Sequence, residues 1–171
     1  MKKYVLFLFV LIMIIPFASI AQDDDVKRPK NIGVGDYDVF KNNSFDIKDE
    51  SSSLYTSVSQ LDKEIKNYSG IINTIGIEKL KTNLKALRES KDAVKVLTAK
   101  ISDLDTQAKS LLEGAKKVKP VTKSPQATKN TNKSIKGLKL AKNDLSAVSN
   151  LLEEDIKLIT DELKERGEPI E

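Results

Sequence analysis

The residues with the clearest chemical pattern are lysines. Between Glu113 and Asp144 there is no acidic residue, and the same stretch contains Lys116, Lys117, Lys119, Lys123, Lys129, Lys133, Lys136, Lys139 and Lys142. Amines without neighbouring carboxylates create a positive potential that attracts phosphate and carboxylate groups. The lysine block therefore predicts a surface that docks on an anionic partner, such as phospholipid headgroups, an envelope glycopolymer or an acidic protein face. The alternative interpretation is a solvated end that only keeps the protein soluble.

The composition excludes most catalytic and metal-binding chemistry. The chain has 171 residues with no Cys and no His, which removes disulfides, thiolate or imidazole metal sites and Cys–His or Ser–His catalytic pairs. The adjacent carboxylates of Asp23, Asp24 and Asp25 lack the spacing and the turning glycine of a calcium loop. No glycine-rich phosphate loop or nucleophile elbow is present. We expect a non-enzymatic protein that uses no metal or cofactor.

Nucleic acid is a poor match for the lysine block. The block contains no Arg, which is the usual reader of base edges. No aromatic residue follows Tyr68, so bases have nothing to stack on. The block therefore favours a protein or envelope partner, with a membrane surface as a further possibility.

The first 21 residues have the pattern of an export signal. Lys2 and Lys3 precede an apolar run, Pro16, and small residues that end at Ala21. The apolar run is shorter than the roughly 20 residues of a spanning helix, so we predict a signal peptide over 1–21 that is cleaved. The mature chain would then begin at Gln22 and reside in the bacterial periplasm or be secreted. An uncleaved membrane anchor is the alternative.

Three apolar stripes in the rest of the chain predict helices. The first, over 51–75, alternates spacings of four and three from Leu54, as in the seam of packed helices. The second covers 77–118 and the third covers 133–166, where Gly167 and Pro169 signal its end. Gly70 and Gly76 mark a turn or hinge between the first two helices.

The segments between and around these stripes lack a sustained period. Residues 22–50 are predicted to be polar and partly disordered, with an aromatic strap or short strand over 37–47. Residues 119–132 contain two prolines and many hydroxyl groups, which predicts a loop. Residues 167–171 form a tail.

Two long helices joined by one loop predict an antiparallel hairpin. The first helix can then pack alongside it. The expected fold is all-α: an elongated hairpin or three-helix bundle with coiled-coil character, whose loop carries the lysine block. Whether the first helix's seam is covered within the chain or by a second copy stays open. The acidic run from Glu153 to Glu171 is typical of a solvated helix face.

Three functions are compatible with these features. The first is an exported adaptor or scaffold that binds anionic partners through the lysine block and other helices through its seams. The second is a periplasmic holdase, because the long helices and basic charge resemble in outline the Skp-like chaperones, although the β-forming segment of that family is missing. The third is a peripheral membrane binder, although its stripes lack the Trp and Phe that interfacial helices favour.

Overall fold

The computed structural model describes residues 26–170. Over this range the chain forms three long α-helices and no β-strand: α1 (Gly35–Tyr68), α2 (Ile77–Gly114) and α3 (Ser124–Glu165). The prediction of an all-helical fold is confirmed. The predicted signal peptide and residues 22–25 lie outside the described range. With 42 residues, α3 is about 60 Å long at 1.5 Å per residue.

Helix α2 runs antiparallel to α1, as contacts near both of their ends show. At one end, the Tyr37 hydroxyl of α1 donates a hydrogen bond of 2.8 Å to the Leu111 carbonyl of α2. At the other end, the Asn83 side-chain amide of α2 donates a hydrogen bond of 2.8 Å to the Tyr68 hydroxyl. The start of α1 therefore lies beside the end of α2.

Helix α3 runs antiparallel to α2 and therefore parallel to α1. Lys142 of α3 forms an ion pair with Asp105 of α2, and Lys81 of α2 forms one of 2.8 Å with Glu168, just beyond α3. The starts of α1 and α3 thus share one end of the bundle with the α2–α3 turn, and we call this the tip end. The α1–α2 turn and the C-terminus of α3 form the far end.

The core is aliphatic along most of its length, and among residues 26–170 only α1 contributes aromatic side chains to it. In the half towards the tip, Phe40 and Ile47 pack with leucines and alanines of α2 and α3. In the other half, Val58, Ile65 and Tyr68 pack with Leu and Val side chains of the same two helices. The seam of α1 is therefore buried within the chain.

Helix α1 begins 16 residues earlier than predicted. The segment expected to be partly disordered, with an aromatic strap over 37–47, is helical from Gly35, and Tyr37, Phe40 and Phe45 are buried. The sequence shows no continuous apolar stripe over the start of α1, because buried serines occupy some of its seam positions. Ser44 and Ser51 satisfy their hydroxyls by donating to carbonyls of their own helix, Phe40 at 2.7 Å and Lys48 at 2.9 Å.

Helix α3 also begins earlier than predicted, at Ser124 rather than 133. Most of the predicted loop over 119–132 is therefore helical, and Pro125 is tolerated because it occupies the first turn. Small residues again form the buried seam, and Thr131 and Ser134 bond to carbonyls one turn earlier. The actual connection is short. Helix α2 ends at Gly114 instead of 118. Two 3-10 turns, Ala115–Lys117 and Val121–Lys123, then lead to α3, with a cis Lys119–Pro120 peptide between them.

The far end is closed by hydrogen bonds to backbone carbonyls. Helix α1 ends at Tyr68, earlier than the predicted 75, and the 3-10 segment Ser69–Thr74 turns the chain into α2. Arg166 donates to the carbonyl of Ile75 at 2.6 Å, and also to that of Ile72. Helix α3 ends at Glu165, one residue before the predicted 166. Gly167, with a φ of 72°, terminates it in a Schellman motif.

Candidate functional site

The nine predicted lysines all lie on the tip half of the bundle. Lys116 and Lys117 are in the 3-10 turn that follows α2, Lys119 and Lys123 are in the connection, and the other five are on α3. Because α2 and α3 are antiparallel, the end of one helix and the start of the other come together. From Lys123 to Lys142, however, the block extends for about 28 Å along α3.

The lysines of α3 do not all share one face. With about 100° of rotation per residue, Lys129, Lys133, Lys136 and Lys139 fall within an arc of about 120°. Lys142 falls outside this arc and forms an ion pair with Asp105 of α2. The basic surface on the helix therefore consists of four lysines, and Lys142 belongs to the α2–α3 contact.

Most of the lysine block has no ion-pair partner among residues 26–170. Lys142 is paired as described, and the Lys123 amine lies 3.3 Å from the Gly33 carbonyl. No ion pair to an acidic residue within 26–170 involves the remaining seven, which are Lys116, Lys117, Lys119, Lys129, Lys133, Lys136 and Lys139. All seven are exposed except Lys133, which is half-buried. Seven lysines elsewhere do form ion pairs. The tip therefore holds an unusual concentration of unpaired positive charge.

The observed start of α3 changes how the helix dipole acts on two lysines. With the predicted start at 133, Lys133 and Lys136 would lie in the first turn, where the dipole opposes cations. Since α3 begins at Ser124, they lie in its third and fourth turns, beyond the reach of the terminal dipole. At these positions the two lysines lower the stability of the protein through repulsion between their charges.

A second basic segment reaches the tip end, which the sequence pattern did not reveal. Residues Val26–Val34, which we call the N-terminal strap, lie against the bundle. The Lys30 carbonyl accepts a hydrogen bond of 3.0 Å from the Asn130 side chain of α3. The exposed side chains of Lys27 and Lys30 thereby extend the positive surface.

The strap is fixed by charged side chains of α1. The Asp38 carboxylate accepts hydrogen bonds from the backbone N–H groups of Ile32, Gly33 and Val34, at 2.8, 2.7 and 3.2 Å. The Lys41 amine is buried and donates to the Pro29 carbonyl at 3.0 Å and to the Asn31 side chain. No acidic partner accompanies Lys41 among the described residues, so strap oxygens solvate its charge.

Arg28 connects the same strap to a later turn of α1. Its guanidinium bonds Asp46 at 2.6 Å and Asp49 at 3.0 Å, and it lies 5.8 Å from the centre of the Phe45 ring. These hydrogen bonds raise the pKa of Arg28 above its ordinary value. Arg28 therefore anchors the strap, while Lys27 and Lys30 remain exposed.

The turn itself combines an anchored side with an exposed apolar side. Val118 is buried, and the Tyr37 hydroxyl would lie only 3.3 Å from a Cβ placed on Gly114. Val121, in contrast, is 74% exposed between Lys119 and Lys123. The tip thus presents an exposed apolar side chain in a segment that also carries lysines.

Other kinds of site have less support within residues 26–170. No helix there is long and apolar enough to cross a bilayer, and no three acidic side chains gather where they could hold a metal ion. The predicted acidic end of α3 is exposed at Glu153, Glu154 and Glu165, but Asp155 is buried in the α1–α3 interface. The chain matches no protein-family model, and no curated protein or solved structure is significantly similar to it.

Proposed function

We propose that this protein is a non-enzymatic binding protein that docks on an anionic partner through its basic tip. The observation that carries the proposal is that seven exposed or half-buried lysines have no acidic partner within the described residues. Crowding them costs stability through repulsion, and a bound polyanion would remove that cost. The strap lysines, Lys27 and Lys30, would add to the same surface.

The proposed setting is the bacterial cell envelope, in the periplasm or outside the cell. The N-terminal pattern of residues 1–21 supports export. A rod with a basic end and coiled-coil-like helix packing suits an adaptor or scaffold, which holds an attached domain or partner away from the docking surface.

The holdase and membrane-binding functions remain alternatives. Both need helices that expose apolar faces to clients or lipid, whereas the seam residues Val58, Ile65 and Leu152 are almost fully buried in this chain. Val121 is the feature that best favours a membrane, because an exposed apolar side chain among lysines fits a lipid surface. Docking through the tip requires no opening of the bundle, and we therefore prefer it.

Co-sedimentation tests the proposal. The chain from Gln22, which keeps every residue of the bundle, would be mixed with anionic vesicles, neutral vesicles or isolated envelopes at low and high salt. We expect binding to an anionic target that high salt abolishes, because exposed charges are screened. Binding to envelopes but not to vesicles would identify a polymer or protein partner.

A matched pair of variants makes the test specific. Changing Lys116, Lys117, Lys119, Lys123 and Lys129 to Gln should weaken binding at least tenfold, since each lysine near an anionic surface contributes about 1 kcal/mol. The control changes Lys85, Lys91, Lys95, Lys157 and Lys164 to Gln, which removes the same charge elsewhere. Equal binding by both variants would refute docking through the tip.

A further inference from the structure

An open groove between α1 and α2 has the opposite character to the tip. Its cavity of about 770 Å³ is lined by the apolar side chains of Leu54, Ala93, Val96 and Leu97. Val96 is 55% exposed. Towards the tip the groove continues into a second cavity of about 400 Å³ that Ile47 and Leu104 line.

Carboxylates surround this apolar floor. Asp46, Asp49 and Glu50 of α1 and Asp103 of α2 line the two cavities. Lys100, 3.6 Å from Glu50, is the one lysine in the lining, and Arg28 offsets Asp46 and Asp49 from the strap side. Lys48 also lies 3.7 Å from Asp49. Four carboxylates against three cations leave a net negative charge. We call this region the acidic groove.

The tip matches the acidic groove in both respects. It presents Val121, which is 74% exposed, in a connecting segment that carries Lys116, Lys117, Lys119 and Lys123. An apolar centre with a positive rim is complementary to an apolar floor with a negative rim. Such complementarity steers association and fixes the orientation of the partners.

The tip of one chain cannot reach its own groove. Asp103, the groove carboxylate closest to the tip along α2, precedes the end of that helix at Gly114 by 11 residues, or about 16 Å, and the tip lies beyond this end. The two surfaces can therefore meet only between copies. We propose that the tip of one molecule docks in the acidic groove of a second copy, with Val121 on the apolar floor and the lysines against Glu50 and Asp103.

This inference rests on the proposed function, because it names the anionic partner of the tip. The two contacting surfaces differ, so the contact is heterologous. Each bound copy still offers a free tip or a free groove, and the assembly grows into a ring or an open filament. Most of the pairing is at an exposed rim, and the affinity falls as the salt concentration rises.

Sedimentation velocity on the chain from Gln22 tests self-association without any added polyanion. At low salt we expect the sedimentation coefficient to increase with protein concentration, and at high salt we expect a monomer. A tip-reversed variant, K116E/K117E, and a groove-reversed variant, E50K/D103K, should each associate at least tenfold more weakly than the unchanged protein. The control K157E/K164E carries the same charge change as the tip variant and should associate normally. Circular dichroism would verify that all variants are folded.

Mixing gives the decisive result. In an equimolar mixture, the unchanged positive tip of the groove-reversed variant can bind the unchanged negative groove of the tip-reversed variant. The reversed, negative tip can likewise bind the reversed, positive groove. Association should therefore return. An unchanged protein that stays monomeric at about 1 mM and low salt, a concentration that detects even weak contacts, would overturn the inference. Variants that associate normally, or a mixture that stays dissociated, would also overturn it.

The same variants separate this inference from the proposed function. The groove-reversed variant keeps its basic tip, so it should bind anionic vesicles or envelopes as well as the unchanged protein does. Polyanion binding without self-association would refute only the inference. Self-association that the mixture restores, without binding to any added polyanion, would leave a second copy as the sole anionic partner.

Discussion

Asp155 of α3 faces Asp62 of α1 inside the bundle, where the two residues are only 2% and 7% exposed. Lys66 pairs with Asp62 at 2.6 Å, while one carboxylate oxygen of Asp155 has no hydrogen-bond partner among the described residues. Burial, followed by repulsion from Asp62, raises the pKa of Asp155 to about 6, against a smaller opposing effect of Lys66. Glu154 on the same helix adds further repulsion.

Asp155 should make the bundle less stable as the pH rises. Its pKa is higher in the folded state than in the unfolded chain, so folding favours the protonated form. The resulting stability is present below about pH 4 and is lost as the pH passes through about 6. We expect Asp155→Asn to be about 3 kcal/mol more stable than the unchanged protein at pH 7.5, and similar to it at pH 4.

Urea unfolding of both proteins between pH 4 and pH 8 measures this difference. Comparing the two proteins cancels the titration of the other carboxylates, most of which are exposed. A constant difference in the free energy of unfolding across that range would contradict the prediction.

Phe40→Ala tests the early start of α1. Phe40 is fully buried and its neighbour Val39 is 54% exposed, which is the pattern of a helix packed on one face. We expect Phe40→Ala to cost about 3–5 kcal/mol of unfolding free energy and Val39→Ala to cost less than about 0.5 kcal/mol. Thermal denaturation of the two variants measures this. A disordered segment would give small effects at both positions.

Asp38→Ala should release the N-terminal strap. The change removes the acceptor of three backbone N–H groups. We therefore expect the free energy of unfolding to fall by about 1–3 kcal/mol. Amide exchange of Ile32, Gly33 and Val34 should accelerate, and trypsin should cut faster after Lys30, which is exposed and precedes Asn31. Asp36→Ala, in the same turn but exposed, is the control and should leave strap exchange unchanged.

Arg166→Lys should loosen the far end. A lysine amine cannot reproduce the planar fork with which Arg166 reaches the carbonyls of Ile72 and Ile75. We expect the free energy of unfolding to fall by about 1–3 kcal/mol and amide exchange over 69–76 to become faster. Lys164→Arg, on the exposed side of the same turn, serves as the comparison. Unchanged exchange in Arg166→Lys would mean that the turn is held by other contacts.

The sequence predicted the parts of the fold in which apolar residues mark the seam. The stripe from Leu54 and the stripe from Val94 both correspond to buried faces. It did not predict the first turns of α1 and α3, because hydroxyl residues such as Ser44 and Thr131 occupy the seam there. A hydroxyl that bonds its own helix can be buried, yet in a sequence it has the same appearance as a loop residue.

The candidate site was predicted only where the signal was local. The lysine block is contiguous in the chain, so its charge is visible without a structure. The docking of the strap on α3 was not predicted, because Asn130 lies 100 residues from Lys30 along the chain. Asp38 and Lys41 look like ordinary surface charges until the backbone groups of the strap are placed beside them.

The parallel arrangement of α1 and α3 has a consequence for how the chain folds. Contacts across the two short turns join residues that are close in sequence, and such local contacts form quickly. The contacts of α1 and the strap with α3 close loops of about a hundred residues, which carry a larger entropic cost. We therefore expect the α2–α3 hairpin to form early and the strap to dock last. The complete basic surface would then be present only in fully folded molecules.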